Sequence, residues 1–153
     1  AMPFADGQFD GAYSMNVSMN IEDKAGFYRE IFRVLKPGGW LVLSEVSQGP
    51  GGAITYPSPW ARTAESSFLA TPEETREGLE ACGFVVTKFG DNIAESKAYA
   101  AKVRELVDRG EKPPHRAVSL IHGDLGDEAA KNMAEGSRNR CVIPIEVVCS
   151  KPA

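Results

Sequence analysis

The stretch Arg33-Val34-Leu35-Lys36-Pro37-Gly38-Gly39-Trp40-Leu41-Val42-Leu43-Ser44-Glu45 constrains this chain more than any other. Upstream of it, Phe27, Ile31, Phe32, Val34 and Leu35 recur at helical spacing and form one apolar stripe. That helix must stop near Lys36, because Pro37 disfavours helical geometry in the residue before it. Gly38 and Gly39 give the backbone freedom for a tight turn. Trp40 to Leu43 then runs apolar without alternation, which predicts a strand covered on both faces. Helix, turn and doubly covered strand together predict an α/β layer fold.

A chain of 153 residues suits one ordinary domain over 1–153, burying roughly 70% of its unfolded surface. The net charge of −4 gives no reason to expect nucleic acid as a partner. No apolar run approaches the roughly 20 residues of a membrane span. The N-terminus lacks the basic start and apolar core of a secretory signal, so a cytoplasmic protein is expected. Cys82, Cys141 and Cys149 are odd in number and lack metal spacing. They read as reduced core cysteines, and no metal is expected.

In chain order, Phe9 to Met15 reads as a strand ending in Ser14-Met15-Asn16-Val17-Ser18-Met19-Asn20. Ligands of open α/β sheets bind outside the carboxyl ends of strands, which makes Asn16 and Asn20 candidates. Asn20 and Asp23 predict the start of a helix over Lys24 to Leu35, with Lys24, Arg29, Glu30 and Arg33 on a solvated face. Residues 48–70 are rich in Gly, Pro and Ser and carry Tyr56, Trp60 and Arg62; loops this long are often functional. Within them Gly49-Pro50-Gly51-Gly52 reads as a flexible connection. Thr71-Pro72-Glu73-Glu74 opens a helix to about Cys82. Gly83 ends it, and Phe84 to Phe89 is the next strand. Asn92 and Glu95 read as a cap pair before a helix bearing Ala98, Ala101, Val103, Leu106 and Val107. Asp124 or Asp127 starts another helix, with Ala130, Met133 and Ala134 on one side. Cys141 to Ser150 is the last strand, with Pro144 expected near its start or at a bulge. His115 and His122 are candidate general bases, since an unperturbed histidine titrates near about 6.5.

Pro3-Phe4-Ala5-Asp6-Gly7-Gln8-Phe9-Asp10 and the Arg33–Gly39 segment, at this separation, carry a resemblance. Together they resemble the segments leading into the fourth and fifth strands of class I S-adenosylmethionine-dependent methyltransferases of the small-molecule, type 11-like kind. Ala81-Cys82-Gly83-Phe84 matches a further habit of that family. The resemblance implies an α/β fold, a partial Rossmann-like methyltransferase sheet holding strands four to seven. It implies an antiparallel last strand beside the fifth and a helical insertion over 92–140 before it. It also implies that only the C-terminal half is present. The glycine-rich cofactor loop and the ribose-binding acidic residue belong to the other half, and no G-x-G-x-x-G occurs here.

By the same resemblance, Met2, Pro3 and Phe4 would lie along the adenine ring of S-adenosylmethionine, and Met15 and Asn16 near its methionine end. Residues 48–70 would cover the acceptor pocket, with Asn16, Asn20, Tyr56, Trp60 and Arg62 facing a small-molecule acceptor. Pro57-Ser58-Pro59-Trp60-Ala61-Arg62 with Ser67-Phe68-Leu69 resembles a subgroup acting on amines or quinone- and phenol-like acceptors. The implied reaction is methyl transfer, with this chain inactive alone because the main cofactor-binding half is lacking. The edge of strand 9–16 would then pair with other chains, giving a homo-oligomer. The alternative is an inactive half-domain, an oligomerising interaction module or a gene remnant.

Overall fold

A computed structural model describes residues 1–111 and 123–153. The elements are β1 (Phe9–Met15), α1 (Lys24–Val34), β2 (Leu35–Gln48), α2 (Pro72–Ala81), β3 (Val85–Asp91), α3 (Ile93–Asp108), α4 (Gly126–Arg138) and β4 (Val142–Ser150). The sheet order is β1-β2-β4-β3. β1 runs parallel to β2, whereas β4 is antiparallel to both β2 and β3. This is the mixed α/β arrangement the resemblance implies, with the last strand inserted beside β2.

Local signals set most boundaries. Asp23 caps α1 by accepting from the Gly26 N–H at 2.7 Å; Asn20 lies outside the helix. The turn expected between Lys36 and Trp40 is instead an irregularity inside β2, where pairing with β1 jumps from Leu35 to Trp40 and Gly38 takes φ +75°, a value at which a side chain would be strained. Thr71 and Glu74 form the expected capping box of α2, with Pro72 in its first turn. Asn92 stands at the start of α3, but its side chain does not cap. Its amide reaches Glu146 at 3.3 Å instead, and the Asp91 carboxylate accepts the Ile93 N–H at 3.2 Å. On α4 the buried positions are Gly126 and Ala129; Ala130 and Ala134 are exposed. Pro144 pairs opposite Val46, one residue beyond the last β3 pair, Asp91 with Ile145. There the ladder with β3 has ended and the Asn92 N–H reaches the Pro144 carbonyl, at 3.2 Å, so the missing Pro144 N–H costs little.

The core lies on one face of the sheet. Tyr28 and Ile31 of α1 and Leu79 of α2 pack onto Leu41, Leu43, Ile145, Val147 and Cys149. Burial pushes the Cys149 thiol up to about 11, as befits an inert core cysteine. Burial along β2 alternates strictly from Gly39 onward, correcting the doubly covered strand that the apolar run predicts. The opposite face shows Tyr13 at 74%, Met15 at 60% and Trp40 at 48% exposure. There the Trp40 ring lies across Gly11, where a Cβ would stand 2.1 Å from the indole. β1 forms one edge of the sheet.

Two segments are pinned by hydrogen bonds. Arg33 donates to the Phe4 carbonyl at 2.8 Å, the Met2 carbonyl at 3.2 Å and the Asp6 carboxylate at 2.6 Å. Glu30 bonds Arg33 and accepts the Met2 N–H at 2.7 Å. These two side chains therefore strap the N-terminal segment to α1 rather than facing solvent. The Arg33 bonds, with the Met2 N–H, hold the Glu30 carboxyl down at about 2. A depressed carboxyl contributes fully above its ordinary value of 4.5 and loses that contribution as pH falls toward 2. The Met2 amide resonance is expected to report the strap intact at pH 4 and to move only near pH 2. A midpoint near 4.5 would show that the strap does not form.

The second segment is Gly49-Pro50-Gly51-Gly52. Gly49 and Gly51 donate to the Cys141 and Arg140 carbonyls at 2.8 and 2.9 Å. The Gln48 amide reaches the carbonyls of Gly49, Gly52 and Cys141. Gly49 and Gly51 allow the close approach to residues 139–141, and Gly52 takes a left-handed φ of +101°.

Candidate active site

The carboxyl ends of β1 and β2 carry the feature best suited to chemistry. After Met15 the chain turns through Asn16 at φ +54°, a conformation asparagine tolerates better than most residues. The Asn16 N–H donates to the Ser44 carbonyl at 2.9 Å. Its side chain is exposed and makes no hydrogen bond among the described residues. A free amide on a fixed backbone is thus presented at the strand end.

The turn is held by a buried charge. Glu45, 3% exposed, follows Leu41 and Leu43 on the core face of β2. One carboxylate oxygen accepts from the Ser14 hydroxyl at 2.5 Å. The other accepts the N–H groups of Val17 and Ser18 at 2.8 and 3.0 Å. A single 3-10 turn, Ser18–Asn20, follows. At its far end the Lys24 ammonium donates to the carbonyls of Ser18 at 2.7 Å, Ile21 at 2.5 Å and Phe68. Burial pushes the Lys24 pKa down, and the Glu45 charge opposes that shift. Lys24 is therefore not part of a solvated face.

The segment after β2 is tied to the same turn. Phe68 donates its N–H to the Met19 carbonyl at 2.8 Å. The Ala70 carbonyl accepts from the Ser47 hydroxyl at 2.6 Å and the Gln48 N–H at 2.9 Å. Trp60 donates its indole N–H to Ser67 at 2.9 Å, and Asn132 of α4 donates to the Pro57 carbonyl at 3.0 Å. Tyr56 and Trp60 are half-buried and Arg62 is exposed. Among the described residues no hydrogen bond links Asn16 or Asn20 to Tyr56, Trp60 or Arg62.

The candidates fall into separate places. Phe4 packs edge-on against Phe9 at the amino end of β1, ring centres 5.0 Å apart. Asn16 follows the carboxyl end, so the two are separated by the strand, about 20 Å at its usual rise. Met2, Pro3 and Phe4 precede β1, whereas Met15 and Asn16 stand at its carboxyl end. His115 and His122 lie outside the described residues. A hollow of about 580 Å³ lies between α1, residues 67–70 and α2. Another of about 420 Å³ lies near the carboxyl ends of β2 and β3. Neither is lined by a predicted site residue, so the exposed strand end, not hollow size, marks the candidate site. Sequence reasoning missed Glu45 and the anchoring role of Lys24. The available signal was a carboxylate in register with the buried leucines of an apolar strand.

The group that the resemblance implies fits the described residues at one end. Met15 and Asn16 are exposed at the strand end, where the resemblance would place the methionine end of S-adenosylmethionine. For its nucleoside end no cradle is found among the described residues. Gly49 and Gly51 cannot supply one, since their N–H groups are already bonded to residues 140 and 141.

Comparison with known proteins points the same way as the motifs. A profile described as "Methyltransferase domain" matches residues 1–43. The chain is 33% identical over 93 residues to 2-methyl-6-phytyl-1,4-hydroquinone methyltransferase of Synechocystis sp., covering 56% of this chain and 29% of that protein. It is 28% identical over 125 residues to sarcosine/dimethylglycine N-methyltransferase of Halorhodospira halochloris, covering 78% and 44% respectively. The fold superposes on phosphoethanolamine N-methyltransferase 2 of Haemonchus contortus, solved with phosphomonomethylethanolamine and S-adenosylhomocysteine. The TM-score is 0.73 at 16% identity, covering 98% of this chain and 35% of that one, a likeness of fold. The chain thus spans less than half the length of each of these proteins. Motifs, sheet order and relatives agree in supporting a class I S-adenosylmethionine-dependent methyltransferase fold.

Proposed function

We propose that the chain forms the acceptor-facing part of a methyltransferase that moves a methyl group from S-adenosylmethionine to a small molecule. The observation that carries this reading is the exposed Asn16 amide on an immobilised left-handed turn at the carboxyl end of β1. When bound, the cofactor supplies a sulfonium-activated methyl group, so the protein's task is position and a dry, shaped site. Asn16 orients the methionine end or the acceptor. Asn20 and the segment carrying Tyr56, Trp60 and Arg62 shape the acceptor side. An amine or a quinone- or phenol-like acceptor suits those aromatics, in keeping with the names of the hydroquinone and sarcosine relatives. A cationic amine would gain attraction from the aromatic rings. Met2, Pro3 and Phe4 serve here as a strap on α1.

A second reading draws on the uncovered face of β1 and β2. Tyr13, Met15 and Trp40 beside an open strand edge suit an interaction module that pairs with a further polypeptide or a second copy.

Calorimetric titration with S-adenosylhomocysteine separates the two. The first reading expects weak binding near the millimolar range, about −4 kcal/mol, because the described residues offer no cradle for the nucleoside end. Asn16→Gly is the informative variant, because glycine keeps the left-handed backbone and removes only the amide. It is expected to weaken binding about tenfold, the worth of one good hydrogen bond, with stability little changed. Absence of binding at millimolar ligand, together with concentration-dependent sedimentation abolished by Tyr13→Lys and Trp40→Lys, would favour the second.

A further inference from the structure

We infer that Glu45 and Lys24 are positioning residues that lock the Asn16 turn and the end of the 49–70 segment into one unit. The inference rests on Asn16 being part of the site proposed above.

The geometry is that of a small helix turn held between opposite charges. The Glu45 carboxylate sits at the N–H end of the Ser18–Asn20 turn and the Lys24 ammonium at its carbonyl end. Each sign opposes the partial charge it meets, which is the favourable sense. The carboxylate also ties the turn back to β1 through Ser14, one residue before Met15. Asn16 therefore lies between two residues, Ser14 and Val17, that are bonded to the same buried carboxylate. The ammonium ties the turn forward to Phe68, whose own N–H returns to Met19. Ala70, two residues on, is fixed to Ser47 and Gln48 of β2. The wall carrying Trp60, itself bonded to Ser67, and the strand end carrying Asn16 thus share one set of anchors.

Among the described residues no hydrogen bond joins Glu45 to Phe68 directly, nor Lys24 to the Val17 N–H. If the turn is one unit, loosening either charge loosens both ends. If the two anchors are separate, each substitution affects only its own partners.

Amide hydrogen exchange followed by NMR on the 153-residue chain tests this. Glu45→Gln keeps the shape and an acceptor but removes the charge; Lys24→Met keeps most of the stem and removes the donor. Exchange of Phe68 is expected to rise about tenfold in Glu45→Gln, and exchange of Val17 and Ser18 about tenfold in Lys24→Met, since charge-assisted bonds are roughly twice as strong as neutral ones. Leu43 and Val147, in the middle of the β2–β4 ladder, are expected to keep their rates. The carbon shifts of Asn16 are expected to drift from left-handed toward coil values in both variants. Effects confined to each residue's own partners, or a parallel rise at Leu43 and Val147, would overturn the inference. Titration of the wild type with S-adenosylhomocysteine is read separately. No shift at Asn16 there would remove the functional reading while the exchange data still decide the coupling.

Discussion

Gly49→Ala is expected to cost about 3 kcal/mol or more, enough to unfold much of a marginally stable domain. A Cβ on Gly49 would stand 2.0 Å from the Arg140 carbonyl oxygen and 2.9 Å from Ile143. The obstacle at Arg140 is backbone, so no side chain can swing away. Segment 49–52 would have to lift off residues 139–141, losing the Gly49 and Gly51 hydrogen bonds to Cys141 and Arg140. Two such bonds contribute about 1 kcal/mol each, and forced overpacking adds about 1–3 kcal/mol. Gly51→Ala meets the Asn139 carbonyl oxygen at 2.0 Å and should behave alike. Gly90→Ala is the control: nothing lies within 4 Å of its Cβ, and the change should be neutral or slightly stabilising. Urea denaturation of the three variants decides the matter. Equal midpoints for Gly49→Ala and Gly90→Ala would mean that the 49–52 contact does not exist in solution.

Leu43→Ala is expected to cost about 3–4 kcal/mol, whereas its neighbour Val42→Ala should cost less than about 1 kcal/mol. Leu43 is fully buried among Tyr28, Leu79 and Val147, so truncation leaves a cavity that rigid neighbours cannot fill. Val42 projects to the opposite face, in register with the exposed Tyr13 and with Val148. The comparison measures how one-sided the core is. Equal losses would show that something covers the second face in solution.

Where structure rests on neighbours in the chain, the sequence is legible. Pro37 and Gly38 mark the irregularity near the start of β2, and Thr71, Pro72 and Glu74 write out the start of α2, because such signals act within about four residues. The strand order was legible only through the resemblance, since nothing local says that the last strand enters beside β2. What stayed hidden depends on distant partners. The close approach at Gly49 involves Arg140, and Glu45 meets Ser14 and Val17 from another strand. The apolar run Trp40–Leu43 misled for a different reason. It encodes a surface fit for cover on both sides, and hydrophobicity alone does not say whether the second cover is present. Of the candidate site, the position of Asn16 followed from the rule that strand ends bind ligands. Its separation from Phe4 did not, because the length of β1 stands between them.

The insertion of β4 between β2 and β3 has a consequence for how the molecule is made. β2 and β3 share no ladder, and β4 bridges them by pairing with both. As the polypeptide leaves the ribosome, β1, α1 and β2 can assemble early, but β3 emerges with no strand to receive it. It must wait while α3 and α4 are synthesised, with Val86 and Phe89, which pack against the core in the finished fold, open to unwanted contacts. Long-range pairing of this kind is slow and exposes sticky surface in the interval. Nascent chains stalled before Val142 should therefore depend on holding chaperones in a way that chains stalled after Ser150 do not.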